Sequence, residues 1–580
     1  MPVHLVVICH GLWGAPEHTS YLATTLAKQH KGSVSPSSVL APPESPATVN
    51  VHSDPGLSEH DTIPRLVVLN SNANRDDHTY DGIDWCGERI VKEIYQEVAR
   101  IEKEEGSLVS RFSIIGYSLG GLIARYVIGL LYSQGFFSTD SSGTSTPSSF
   151  PSPNITFQSR PKAVSLTTLA TPHIGLPPSS SGFKKLVAYI GGRMIGRTGR
   201  QLYGIDSGWH VDDLNDHPPD AEPTSNEPDQ DQKFTSLLEA MTEPTSSFWK
   251  ALQLFERIDV YANAIADVTV PYRTGAIEEH DPFIVKGGLE LIRDPDHPEL
   301  LKSFKAVEAL PPRPPLATRL LHSLSPNNLP WLLNPARFPF PFPLNYLAFV
   351  SLPILLPVLV TLVLHKFSTQ SRLSDKRVAE FEKAWAIEWA GKNGIDRSSI
   401  EALLAEDEQD VGRKGRGKRG KKADALDPEV RNKVERSRIA QLLKLAEEQA
   451  EQIVREAGEE NVEQIVKGSG LSTDASHLNG NGLEDQHETK PAVTSANPGE
   501  NPATLSLSDS YILDPEETPL TPTQALMAKR LNSLPQLKKH LAHFENIINT
   551  HAVIVVRSTG IESHRRGMGV VKALAERFQV

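Results

Sequence analysis

The six residues Gly116-Tyr117-Ser118-Leu119-Gly120-Gly121 constrain this chain more than any other stretch, because they follow an apolar run, Phe112–Ile115, and precede a helical pattern that opens at Leu119. A serine flanked by glycines at a strand-to-helix junction sits on a sharp turn, where neighbouring elements leave little room for a Cβ. The turn lifts the hydroxyl to the carboxyl edge of a sheet. The helix behind it directs unpaired N–H groups and its positive dipole end toward an oxyanion forming beside Ser118. Ser118 is the candidate nucleophile, and Leu119 N–H the first oxyanion donor.

The surrounding pattern supplies such a sheet. Val3–Cys9, Leu66–Asn70, Phe112–Gly116, Ala163–Ala170 and Ile258–Asn263 read as short strands, while Leu22–Gln29, Gly82–Glu104 and Leu119–Leu131 read as helices. Continuous apolar strands that alternate with helices predict an α/β fold, with a mostly parallel sheet covered on both faces. Phe137–Asn154 and Asp206–Gln232 are polar and read as surface insertions. The chain closes with an expected strand, Thr550–Arg557, and an expected helix, Met568–Phe578.

Composition narrows the partners. A formal charge of -12 argues against a nucleic-acid binder, which needs a basic face for phosphates. The two cysteines, Cys9 and Cys86, lie in no metal-binding spacing, so they read as buried thiols and neither a disulfide framework nor a zinc site is indicated. The start of the chain reads directly as a strand rather than a secretory signal, which leads us to expect a cytosolic protein.

His10-Gly11-Leu12-Trp13-Gly14 follows the first strand, where a second oxyanion N–H is needed. Leu12 is the candidate for it, with Trp13 the near alternative. In this chain order an acid follows a late strand, and Asp267 comes just after Ile258–Asn263; Asp259, within that strand, is less suitable. The base must come later still. His551 and His564 are both credible from position, since both lie in the final unit.

These pieces resemble a family of serine esterases that includes lipid-droplet phospholipases of fungi and related lipases. The resemblance rests on His10–Gly14, Ser71-Asn72-Ala73-Asn74 through Asp81-Gly82-Ile83-Asp84, Gly116–Gly121, Ala170-Thr171-Pro172-His173-Ile174-Gly175 and Ala266–Pro271. The tail Asn549–Arg557 also looks like the family's late histidine segment, and this similarity selects His551, with His564 as the alternative base. It implies an α/β-hydrolase that cleaves acyl esters of phospholipids or acylglycerols through Ser118, His551 and Asp267, without a cofactor. A catalytically inactive scaffold at a lipid surface, or an acyltransferase or thioesterase using the same serine, are the competing expectations.

Leu344–Leu364 is an apolar run of membrane-spanning length that contains Asn345, Pro353 and Pro357. A simple crossing would separate Ser118 from the late histidines, so a Pro-bent hairpin or an interfacial helix is expected, on the cytosolic face of a membrane or on a lipid droplet. A buried core helix or lid over the active site, and a true single span, are the other readings. The basic run Arg413–Lys422 can attract anionic headgroups, and Asp427–Ala457 carries a helical apolar stripe. The expected plan is a hydrolase core over 1–285, a Pro-rich connector over 286–343, and a membrane-associating segment over 344–366. A charged helical and disordered insertion over 367–540 and a C-terminal strand and helix over 541–580 complete it.

Overall fold

The computed structural model describes residues 2–38, 63–138, 158–176, 192, 194–206, 209, 236–284, 289–306, 343–392 and 518–580. The chain divides into one unit of Met1–Glu380 with Leu505–Val580 and another of Phe381–Thr504. In the second unit only the end of one helix, as far as Lys392, is described.

Nine strands form one sheet in the first unit: β1 Pro2–Cys9, β2 Ser33–Val34, β3 Arg65–Asn70, β4 Leu108–Tyr117, β5 Lys162–Leu169, β6 Arg257–Asn263, β7 Leu289–Arg293, β8 Leu300–Ala306 and β9 Leu537–Ala542. Their order is β2-β3-β1-β4-β5-β6-β9-β8-β7. All pairs from β2 to β9 are parallel, and β8 and β7 join antiparallel at the edge. Strand β1 lies between β3 and β4 and is buried from Val3 onward, as an unbroken apolar run requires when both faces are covered.

Helices α1 (Ser20–Gln29), α2 (Ile83–Glu104), α3 (Leu119–Ser133), α4 (Ser247–Leu254), α5 (Leu344–Lys392), α6 (Pro522–Asn532) and α7 (Met568–Arg577) are the principal ones. Helix α3 is apolar on every side and buried from Leu119 to Leu131, because α2 and α4 cover what the sheet does not. Each fully buried Leu, Ile or Val there contributes about 1.5–3 kcal/mol relative to exposure. That burial makes the start of α3 a rigid platform for Ser118.

Several expectations require correction. The core does not stop at 285 or resume at 541. Strands β7 and β8 extend the sheet past the expected boundary, and α6 and β9 fall inside the stretch expected to be charged and disordered. Helix α6 opens with a capping box between Thr521 and Gln524, and Gln524 Nε2 donates to the carbonyls of Ile174 and Leu176 at 3.2 Å each. Strand β9, Leu-Lys-Lys-His-Leu-Ala, hides its identity behind polar side chains. Lys539 reaches Glu278 and the Ile277 carbonyl, and His540 Nε2 lies 2.8 Å from Asp259 Oδ1.

Thr550–Arg557 is not a strand. It is a succession of turns, with Val553 N–H donating to Thr550 O at 3.0 Å, Arg557 N–H to Ala552 O at 3.0 Å, and Val556 at φ 55°. Its β-branched residues resemble a strand because Val553 to Val556 are buried, and this tertiary burial overrides local preference.

Leu344–Leu364 forms the first part of α5, a helix with Pro353 and Pro357 inside it. A bend of 42° separates Phe349–Leu355 from Pro357–Phe381, where two prolines remove backbone donors. Among the described residues no single helix is long and apolar enough to cross a membrane, and only this bent pair passes by length and composition. Phe137, expected in a surface insertion, is buried against Phe112 and Phe255. Most of 137–160 and 206–232, the basic run, and Asp427–Ala457 lie outside the described residues.

Candidate active site

Strand β4 ends at Tyr117 and α3 begins at Leu119, so Ser118 is the single residue of the turn, at φ 55° and ψ −125°. A non-glycine residue pays strain in this region, and the fold offsets it locally. Ser118 N–H donates to Leu169 O at 2.8 Å, and Gly121 N–H to Ser118 O at 3.0 Å. Close approach explains two glycines. A Cβ on Gly120 would lie 2.1 Å from the Cys9 carbonyl oxygen, and one on Gly11 would lie 2.8 Å from Ser118 Cβ.

The loop after β1 therefore runs directly against the serine. Trp13 N–H donates to Thr79 Oγ1 at 3.0 Å, which leaves Leu12 as the donor candidate of that loop. Leu119 is the first residue of α3, where helix geometry provides no intrahelical acceptor for its N–H. His10 opens this loop and is buried, and burial first of all lowers its pKa.

Ser118 Oγ lies 2.9 Å from His551 Nε2, and His551 Nδ1 lies 3.0 Å from Asp267 Oδ2. All three side chains are nearly sealed from solvent, Asp267 at 2 % and His551 at 10 % side-chain exposure. Two loops are pinned together to achieve this. Thr550 N–H donates to Ala266 O, and Thr550 Oγ1 to Ile265 O, each at 2.9 Å. Tyr117 Oη donates to the His551 carbonyl at 3.0 Å, so the residue preceding the serine also fixes the backbone of the histidine.

Asp267 follows β6 in a tight turn of its own. Its Oδ1 accepts from Thr269 N–H at 2.9 Å and Val270 N–H at 2.8 Å, while Oδ2 accepts from Asn263 Nδ2 at 2.8 Å. Asn549 Oδ1 accepts from His551 N–H at 3.2 Å. Asn263, Asn549 and Tyr117 were not singled out in the sequence. The available signals are their positions: Tyr117 inside the Gly116–Gly121 motif, Asn549 at the start of the late histidine segment, and Asn263 at the end of the strand that leads to the acid.

His564 is not among the hydrogen-bond partners of Ser118 or Asp267; it sits on the short helix Glu562–Arg565. Asp259 is held by Arg257 and His540. Cys9 and Cys86 are free and buried. Among the described residues no group of three or more His, Cys, Asp or Glu side chains could hold a metal ion.

The other quoted motifs build the floor of the site. His173 Nε2 lies 3.0 Å from Thr168 Oγ1, and burial drives its imidazole well below its ordinary range, so it is a neutral structural group. Its carbonyl accepts from the buried Arg125 of α3 at 2.8 Å. Asn74 Nδ2 donates to the Cys86 carbonyl at 2.9 Å, and its Oδ1 accepts from Arg89, which also pairs with the fully buried Asp81.

A nucleophile turn at the carboxyl edge of a mostly parallel sheet, followed in chain order by an acid and a histidine, is the arrangement of an α/β-hydrolase. Residues 53–279 match the family described as "Putative serine esterase (DUF676)". This stretch contains Ser118 and Asp267, but neither Leu12 nor His551. A Schizosaccharomyces pombe protein named "Putative lipase C4A8.10" is 26 % identical over 220 residues, covering 37 % of this chain and 22 % of that protein. The chain thus spans about a fifth of the length of this relative. Among solved structures, Legionella pneumophila phospholipase PlaB matches at 14 % identity with a TM-score of 0.22, over 53 % of this chain and 51 % of its own. An extracellular α/β-hydrolase from a Paenibacillus species matches at 13 % identity with a TM-score of 0.18, over 34 % and 53 %.

Proposed function

We propose that this protein is a serine lipid esterase, a phospholipase or acylglycerol lipase, that hydrolyses acyl esters at a membrane or lipid-droplet surface. The observation that carries the chemistry is the continuous chain Ser118 Oγ, His551 Nε2, His551 Nδ1, Asp267 Oδ2, with links of 2.9 and 3.0 Å. In this reading His551 Nε2 takes the Ser118 proton as Oγ attacks the ester carbonyl, and Asp267 holds the imidazole tautomer and its positive form. Leu12 and Leu119 N–H groups stabilise the oxyanion. The tetrahedral intermediate collapses, the leaving alcohol takes the proton from His551, and the acyl group stays on Ser118. Water then attacks the acyl-enzyme with the same imidazole as base, which releases the fatty acid and restores the serine.

The lipid surface is supported by the first part of α5, whose apolar residues stand in water. Leu347, Val350, Ile354, Val358, Leu359 and Leu362 are each more than half exposed. A crossing that put Ser118 and His551 on opposite sides of a bilayer is incompatible with their 2.9 Å contact. We therefore place the segment as an interfacial helix lying in the cytosolic leaflet.

The test is the purified full chain, as wild type, Ser118→Ala, His551→Ala and His564→Ala, assayed on a mixed phospholipid and acylglycerol panel and labelled with a fluorophosphonate. Acyl release and labelling in wild type, both lost in Ser118→Ala, support the reading. Absence of both from wild type leaves a non-catalytic lipid-surface protein.

A further inference from the structure

Helix α5 is held against the catalytic unit over Phe367–Val378 and exposed over Pro357–Lys366. The held stretch makes its contacts on one face. The Phe367 ring stacks on Trp13 with centroids 5.5 Å apart and planes 7° from parallel, and Ser374 and Val378 are buried. Arg377 Nη2 donates to Asp81 Oδ1 at 2.8 Å and to the Asp77 carbonyl at 3.0 Å. Asp81, fully buried and already paired with Arg89, is a strong fixed acceptor for it.

The exposed stretch differs. Every residue from Pro357 to Lys366 is exposed, so the apolar side chains there face outward around the whole helix, not along one stripe. A protein groove covers a stripe; an occupant that covers all sides of an apolar helix is a lipid phase. Phe367 is the first residue after this bare stretch, and it touches Trp13, the neighbour of the oxyanion candidate Leu12 in the loop that Gly11 presses against Ser118. Lipid contact and the mouth of the active site are thus adjacent along one helix.

We infer that Trp13 and Phe367 form the threshold over which an acyl chain passes from the lipid surface to Ser118, and so select esters presented in a lipid phase over soluble ones. This rests on the lipid esterase reading above. Arg377 is the positioning residue that holds the helix in register with the threshold, acting through Asp81.

The experiment compares oleate release from phosphatidylcholine vesicles carrying dioleoylglycerol with hydrolysis of soluble p-nitrophenyl butyrate, using the full chain as wild type, Phe367→Ala and Arg377→Gln. Vesicle co-sedimentation and circular dichroism are measured on each protein. Phe367→Ala is expected to lower the ratio of vesicle to soluble turnover by about tenfold while still co-sedimenting, and Arg377→Gln to lower it in the same direction. An unchanged ratio in a folded Phe367→Ala protein overturns the threshold, as does a wild type that hydrolyses the soluble ester without binding vesicles. A wild type inactive on both substrates and unlabelled by fluorophosphonate instead defeats the esterase reading on which the threshold depends.

Discussion

The side-chain amide of Asn263 donates to Asp267 Oδ2, the same oxygen that faces His551 Nδ1. One carboxylate oxygen is therefore steered by the strand end and the other by its own turn, through Thr269 and Val270 N–H. Removing the amide leaves Oδ1 held by its turn but takes from Oδ2 the donor that aims it at His551. Asn263→Ala is expected to reduce kcat on a soluble ester by roughly 10- to 100-fold, since small misplacements of a catalytic group cost about that much. KM should change little. Steady-state kinetics on the folded variant check this, and an unchanged kcat would remove Asn263 from the positioning set.

Ser118→Ala should abolish fluorophosphonate labelling and lower kcat by about 10⁴- to 10⁶-fold, the range seen when a nucleophile is removed from a cooperating triad. His551→Ala should lose a similar factor. His564→Ala should stay within about threefold of wild type, because Ser118 and Asp267 both hydrogen-bond to His551 and not to His564. Retained turnover in His551→Ala together with its loss in His564→Ala would reverse the assignment of the base.

Gly11→Ala separates packing at the nucleophile from folding of the sheet. The added Cβ would meet Ser118 Cβ at 2.8 Å and Oγ at 3.3 Å. A small shift of the loop accommodates it, but this shift moves Leu12 and the hydroxyl together. The expected outcome is a folded protein with thermal stability within a few degrees of wild type and kcat/KM down by about 10²-fold. Parallel melting curves and kinetics test it.

His4 predicts acid sensitivity in the core. It is fully buried in β1, its Nε2 lies 2.9 Å from Ser113 Oγ, and burial followed by the charge of Arg111 holds its pKa down to about 3. In the unfolded chain the same imidazole takes a proton near its ordinary value of 6.5. Its contribution to stability is thus complete above pH 6.5 and is lost as pH falls toward 3, at up to about 1.4 kcal/mol per pH unit. His4→Gln keeps a polar partner for Ser113 without titrating. Urea melts at pH 7.5 and 5.5 should show a smaller fall in stability for this variant than for wild type; equal falls would mean that other groups dominate.

The sequence revealed the parts of the fold whose side chains all obey one environment. Strands β1, β3, β4, β5 and β6 are buried on both faces and read as apolar runs, and Ser118 was legible because the turn demands glycines at fixed offsets. Asp267 followed from strand order. The choice between His551 and His564 could not be made from position, because it depends on which late loop is pinned to Ala266. Strand β9 is hidden in the sequence because Lys539 and His540 find their partners, Glu278 and Asp259, in distant segments. The Phe367 stack on Trp13 is likewise a contact between residues far apart in the chain, which local spacing does not record.

The acid and the histidine that faces it are separated by 284 positions along the chain. Strand β9, which must slot beside β6 before the turns carrying His551 can reach Asp267, is translated only after the whole intervening stretch. A chain cut short anywhere before His551 would carry Ser118 and Asp267 without the imidazole that joins them.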